Sequence, residues 1–101
     1  MQKLVVLVRN DLPSTGYKAA QAAHAVAEFM WKHQYTWANE ILVIVEATQQ
    51  QMERAKIKAQ WKDLPIAVFK EPDMNNEETA FAVAVGSEKT PNFLSNLPLL
   101  A

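Results

Sequence analysis

Apolar and polar positions fall in blocks whose period changes along the chain. Leu4-Val5-Val6-Leu7-Val8 is a continuous, β-branched-rich run, the pattern of a strand buried on both faces of a sheet covered by helices. Asn10-Asp11-Leu12-Pro13-Ser14-Thr15-Gly16 is dense in turn formers and ends that strand. From Tyr17 to about His33 the chain carries six alanines, one β-branched residue and no Gly or Pro, which predicts a helix. Ala20, Ala23, Ala27 and Met30 recur at helical spacing, and this small-residue face is expected to lie on the sheet. Ile41–Val45 predicts a second buried strand. Thr48 with Gln51 three residues later has the capping-box pattern and opens a second helix to about Lys62. Leu64-Pro65 stops it, Ile66–Phe69 is a third strand, Glu71–Glu78 a polar loop, and Thr79–Val85 a fourth strand closed by Gly86. Pro91 and Pro98 leave room for only a short helix around Asn92–Asn96. The order β-α-β-α-β-β, plus a short C-terminal helix or turn, predicts an α/β fold. Its expected form is a three-layer α/β/α arrangement on a four-stranded mixed sheet.

The length of 101 residues is about one domain, so residues 1–101 are read as a single domain. With 50% apolar and 21% charged residues the chain is globular and can build one core without staples. Zero cysteines exclude disulfides, thiol nucleophiles and Cys-metal sites, and the two histidines, His24 and His33, are too few for a three-His zinc site. Two glycines, Gly16 and Gly86, exclude a P-loop and a dinucleotide-binding turn. No apolar run approaches the roughly 20 residues of a membrane span, and the start is too short for a secretory segment. A soluble, cytoplasmic domain is the expectation. The net charge of −1 argues against strong non-specific nucleic-acid binding. Its distribution is uneven: Arg54, Lys58 and Lys62 share one helical stripe, while Glu71, Asp73, Glu77 and Glu78 crowd one loop. Taken alone, each cluster reads first as a solvated surface.

Ligands of open α/β sheets sit beyond the carboxyl ends of strands, so the Asn10–Gly16 loop and the following helix N-terminus form the first candidate site. Lys18 is close by, and Gln21, His24 and Glu28 make a polar strip on an alanine-rich helix. His33, at the helix end, is expected to complement the helix dipole. The second candidate is the Glu71–Thr79 loop. It lacks the sixth-position Gly and twelfth-position Glu of an EF-hand, so calcium is not expected. No serine stands in a nucleophile-elbow setting. No cofactor and no metal are expected. Phe29, Trp31, Tyr35 and Trp37 put four aromatics into nine residues, more than a small core hides, so self-association is expected.

These residues resemble a known family. Val8-Arg9-Asn10-Asp11-Leu12, Gly16 and Ala19-Ala20-Gln21-Ala22-Ala23-His24-Ala25 are similar to the V-R-x-D-L, Gly-rich turn and A-A-Q-x-x-H-A signature of type 2 peptidyl-tRNA hydrolases. Leu64-Pro65, an acid after the third strand (Glu71), Thr79, Ala84-Val85-Gly86 and Leu97-Pro98-Leu99-Leu100 follow in the family's order. The resemblance spans nearly the whole chain. It implies metal-independent hydrolysis of the ester joining an aminoacyl or peptidyl group to tRNA, and a homodimer. By position the resemblance carries over Glu71 and Thr79. For a hydrolase the expected catalytic residues are Lys18, Glu71, Asp73 and Thr79, with Glu71 or Asp73 orienting water and Thr79 or Lys18 polarising the carbonyl. Asp11, Gly16, Gln21 and His24 are the implied substrate-binding residues. The chain departs from the pattern where phosphates should be gripped. The family's lysine-rich turn is here Leu12-Pro13-Ser14-Thr15-Gly16-Tyr17, and Lys18 lies one position late, rotated by about 100° around the helix. The acid is Glu rather than Asp, and the following loop is about two residues shorter. Two alternatives therefore stand beside hydrolysis: a non-catalytic or repurposed binding protein for a nucleotide-like ligand, and a different small-molecule hydrolase on the same scaffold.

Overall fold

A run of five apolar residues needs cover on both faces. In the computed structural model, which describes residues 2–34, 36–86 and 89–100, that run lies in an interior strand. The elements are β1 (Gln2–Arg9), α1 (Thr15–Lys32), β2 (Ile41–Ala47), α2 (Gln49–Trp61), β3 (Ile66–Glu71), a 3-10 turn (Pro72–Met74), β4 (Glu77–Gly86) and α3 (Asn92–Ser95). The four strands lie in the order β2-β1-β4-β3. β2 runs parallel to β1, and β4 runs antiparallel to both β1 and β3. This is the α/β mixed sheet the alternation of blocks predicts.

Strand alternation sorts the core into two halves. Leu4, Val6 and Val8 of β1 and Ala80, Ala82 and Ala84 of β4 face α1, while Val5, Leu7, Phe81, Val83 and Val85 face α2 and α3. The helices thus cover opposite faces. α2 begins where expected, with Thr48 and Gln51 exchanging both capping-box hydrogen bonds at 2.9 and 3.0 Å. α1 starts two residues earlier than its composition suggests, because Ser14 Oγ accepts from the Tyr17 amide and caps it.

The inner face of α1 is a correction. Ala20, Ala23, Ala27 and Met30 are exposed; the buried residues are Gln21, Ala22, Ala25 and Phe29. Alanine occupies every side of this helix and cannot fix its rotation, so the large Phe29 side chain decides. Close packing is still achieved, by Ala22 and Ala25 against the strand alanines. Ala25→Leu should therefore cost about 1–3 kcal/mol through overpacking, with Ala23→Leu near zero; paired urea unfolding curves read the difference directly.

β2 is also less buried than expected. It is an edge strand with Leu42 45% exposed. Its outer side is occupied by residues 98–100: the Glu46 amide donates to Pro98 O at 2.8 Å and the Leu100 amide to Ile44 O at 3.0 Å. His33 caps α1, and its Nε2 lies 2.7 Å from Ile66 O, tying the helix end to β3 rather than only serving the dipole. Of the four clustered aromatics, Phe29 and Trp37 are buried, Trp31 is 82% exposed, and Tyr35 lies outside the described residues. No described helix is long and apolar enough to cross a membrane.

Candidate active site

The carboxyl ends of β1, β2 and β3 and the first turns of α1 meet at one end of the sheet. Strand ends deliver acids there, and α1 delivers Tyr17, Lys18 and Gln21. Gln21 is the connecting residue. Its side chain is buried, 2% exposed, so both ends of its amide need partners. Nε2 donates to Glu71 Oε1 at 2.9 Å, and Oε1 accepts from Thr79 Oγ1 at 2.5 Å. An ionised carboxylate only accepts, which fixes the orientation of the amide. Thr79 is fully buried.

Thr79 reaches α1 because of a defect in the sheet. Phe69 pairs with Ala80 but Lys70 pairs with Glu78, so Thr79 is the extra residue of a bulge. Regular alternation would send Thr79 and Ala80 to opposite faces; the bulge lets both face α1. The turn after Glu71 is closed by left-handed Asn75 and Asn76, φ 55° and 61°, a conformation asparagine tolerates better than most residues. The Asn76 amide returns to Glu71 O at 2.9 Å.

Around this core lie two ion-pair systems. The Arg9 guanidinium, almost buried, grips Asp11 through Nε and Nη2 at 3.0 and 2.8 Å and Glu77 through Nη1 at 2.9 Å. Lys18 Nζ pairs with Glu46 Oε1 at 2.6 Å, both side chains largely sheltered. The Tyr17 hydroxyl donates weakly to Glu71 Oε1 at 3.5 Å. Loss of hydration, and then the Glu71 and Asp73 carboxylates, push the Tyr17 phenol above its ordinary value.

Gln21, Glu71 and Thr79 are thus bonded into one chain, and Tyr17 and Asp73 adjoin it. Lys18 is held by Glu46, and Asp11 by Arg9. His24 stands apart from these bonds, exposed and stacked on Phe69 at 4.5 Å with rings 8° from parallel. Gly16 sits in the exposed first turn of α1, where an added Cβ would meet only Ser14 Oγ at 3.9 Å. The fold does not need glycine there. Among the described residues no group of three or more His, Asp or Glu is placed to hold a metal ion.

The model for the family described as peptidyl-tRNA hydrolase PTH2 matches residues 2–100 of this chain. The chain belongs to that family. A solved structure of a protein of unknown function from Agrobacterium tumefaciens strain C58 is similar at a TM-score of 0.76. It covers 99% of this chain and 98% of its own, at 12% identity, a likeness of fold. No curated protein matches the chain significantly.

In this peptidyl-tRNA hydrolase family member, sequence reasoning missed Arg9, Tyr17, Glu46 and Glu77 as site components. Arg9 and Asp11 stand two apart where β1 ends, spacing that puts them on one side, so their pairing had a signal. Glu46 had one too, since it ends the run Ile41–Val45 much as Glu71 follows Ile66–Phe69. Hydrogen bonds from Arg9, aided by the charges of Arg9 and Lys18, hold the Asp11 carboxyl below its ordinary 3.8. A depressed carboxyl stabilises the fold above its unfolded value, and that contribution is lost as pH falls through the lower folded value. Stability should therefore drop below about pH 4, and Asp11→Asn should flatten that acid limb in pH-dependent thermal melts.

Proposed function

We propose that this protein hydrolyses the ester joining a peptidyl or aminoacyl group to the 3′ end of tRNA, with Glu71 as general base. The observation that carries this reading is how Glu71 is held. Gln21 and Tyr17 both donate to Oε1, which orients the carboxylate and leaves Oε2 to take a proton from water. That water attacks the carbonyl carbon, and the tetrahedral intermediate breaks the bond to the ribose oxygen, which takes the proton. The products are a free carboxyl group and a tRNA with its 3′ hydroxyl restored. Lys18, steadied by Glu46, and the positive end of α1 face the developing negative charge. Thr79 acts through Gln21 as a positioning residue, since its own proton is directed at the amide. Asp73 adds charge beside Tyr17, Gly16 gives the substrate close approach to backbone, and the stacked His24–Phe69 pair offers a face for a terminal base. Arg9 and Asp11 hold the loop that carries Gly16.

The test is incubation of the purified protein with N-blocked aminoacyl-tRNA, following release of the acyl group. Release well above the spontaneous rate is expected; a rate no faster than buffer overturns the proposal. A second reading, a binding protein without catalysis, draws on the Lys18–Glu46 pair, which neutralises the cation nearest the site. Saturable tRNA binding without cleavage would decide for it. We also propose a homodimer through the exposed face of α1, where Trp31, Met30, Ala27 and Ala23 lie open. Sedimentation velocity at micromolar concentration should show a dimer; a monomer there removes this claim.

A further inference from the structure

α2 is built the wrong way round for a simple surface helix. It turns Met52, Ala55 and Ala59 toward the sheet and leaves its large apolar residues outside: Ile57 is 49% exposed and Trp61 86%. Arg54, Ile57, Lys58, Trp61 and Lys62 stand at i, i+3, i+4, i+7 and i+8, one face of the helix. This face borders a groove of about 680 Å³ that α3 and Lys89 close on the other side. Phe93 of α3 lines it, with Lys58 Nζ 5.9 Å from the ring centroid. No acid lines the groove among the described residues, and Lys58, Lys62 and Lys89 have no ion-pair partner among them.

Cations interleaved with an exposed, flat aromatic are what a nucleic-acid strand needs: counter-charges for phosphates and a platform for a base. We propose that this groove binds RNA, stacking an unpaired base on Trp61 and setting the flanking phosphates against Lys58, Lys62 and Lys89. The choice of RNA over an acidic peptide rests on the peptidyl-tRNA reading. Charge distribution agrees with it. The catalytic end sets five acids, Asp11, Glu46, Glu71, Asp73 and Glu77, against two cations, Arg9 and Lys18, that are already paired, and the loop there lacks the family's turn lysines. Among the described residues, unpaired cations cluster instead on one face of α2 and its end, at Arg54, Lys58 and Lys62, whereas Lys32 and Lys70 stand singly elsewhere. Its 13 residues span about 20 Å, so the groove lies one helix length from the site, within reach of the body of an RNA whose 3′ end is in it.

The experiment is fluorescence anisotropy with a labelled single-stranded RNA and with uncharged tRNA, over a range of salt. The proteins are wild type, Trp61→Ala, Lys58→Ala/Lys62→Ala, and Lys32→Ala as a control outside the groove. These side chains are exposed, and thermal melts check that each variant folds. Trp61→Ala should weaken binding about tenfold. The double lysine variant should lower the slope of log K against log salt by about 0.7 for each phosphate it no longer neutralises. Lys32→Ala should match wild type. Affinity unchanged by either groove variant overturns the proposal, as does tighter binding of a Glu-rich peptide than of RNA. A minimal ester too short to reach the groove separates this claim from the hydrolase reading. Groove-dependent RNA binding without any ester cleavage sinks the hydrolase alone. Cleavage of peptidyl-tRNA with groove-independent affinity sinks the groove alone.

Discussion

Glu71→Gln lowers the rate constant for ester cleavage by about 100-fold or more, with little change in stability. The expectation follows from what the substitution keeps and what it removes. The carbonyl oxygen of the new amide can still accept from Gln21 Nε2 and from the Tyr17 hydroxyl, so the hydrogen bonds that place the side chain survive. The amide cannot take a proton from water near neutral pH, and removing a positioned base typically costs about 10²–10⁴ in rate. Single-turnover cleavage of N-blocked aminoacyl-tRNA, beside a urea unfolding curve, gives both readouts. A variant that cleaves at the wild-type rate would show that Glu71 is not the base. A variant that has lost stability as well would show that its charge matters to the fold.

Gln21→Leu is the second large effect, and here fold and function fall together. Leucine matches the volume and keeps the helix, but it leaves the buried Thr79 hydroxyl without an acceptor and Glu71 without its strongest donor. A stranded buried polar group costs about 1–3 kcal/mol. Adding Thr79→Val removes the stranded hydroxyl, so the double variant should recover part of the loss. It should not recover cleavage, because Glu71 still lacks its tether. Denaturation of both single variants and the double variant closes the cycle. If Gln21→Leu and Thr79→Val add independently, the two side chains are not coupled as their 2.5 Å hydrogen bond requires.

Element order could be read from the chain because the apolar blocks differ in kind. Leu4–Val8 and Ile41–Val45 are β-branched-rich, and Thr48 with Gln51 marks a helix start by explicit chemistry. Faces were harder. Six alanines around α1 make several stripes look alike, and only the position of Phe29 against the sheet chose among them. Whether Ile41–Val45 is covered depends on strand order, which periodicity does not contain. At the site, the residues that carry the family resemblance pointed to the carboxyl end of the first strand, and Gln21, Glu71 and Thr79 are bonded together at that end of the sheet. They grouped Thr79 with Gln21 but did not reveal how it turns toward α1, because that depends on a single bulged residue in the pairing of β3 with β4. Nor did they reveal that Lys18 is engaged by Glu46, a bond between side chains 28 residues apart.

Residues 98–100 have a meaning beyond covering a strand. By pairing with Ile44 and Glu46 they act as a donor strand supplied by the chain to itself. The β2 edge is thereby covered along Ile44–Glu46, which blunts it against pairing with a second molecule there. Without those three residues, the β2 edge would be a ready acceptor for the same segment of a neighbour. The register for that exchange is already written in Leu99 opposite Val45. The same strand carries Glu46, so a swapped pair would hold each Lys18 anchor in place with its partner's chain.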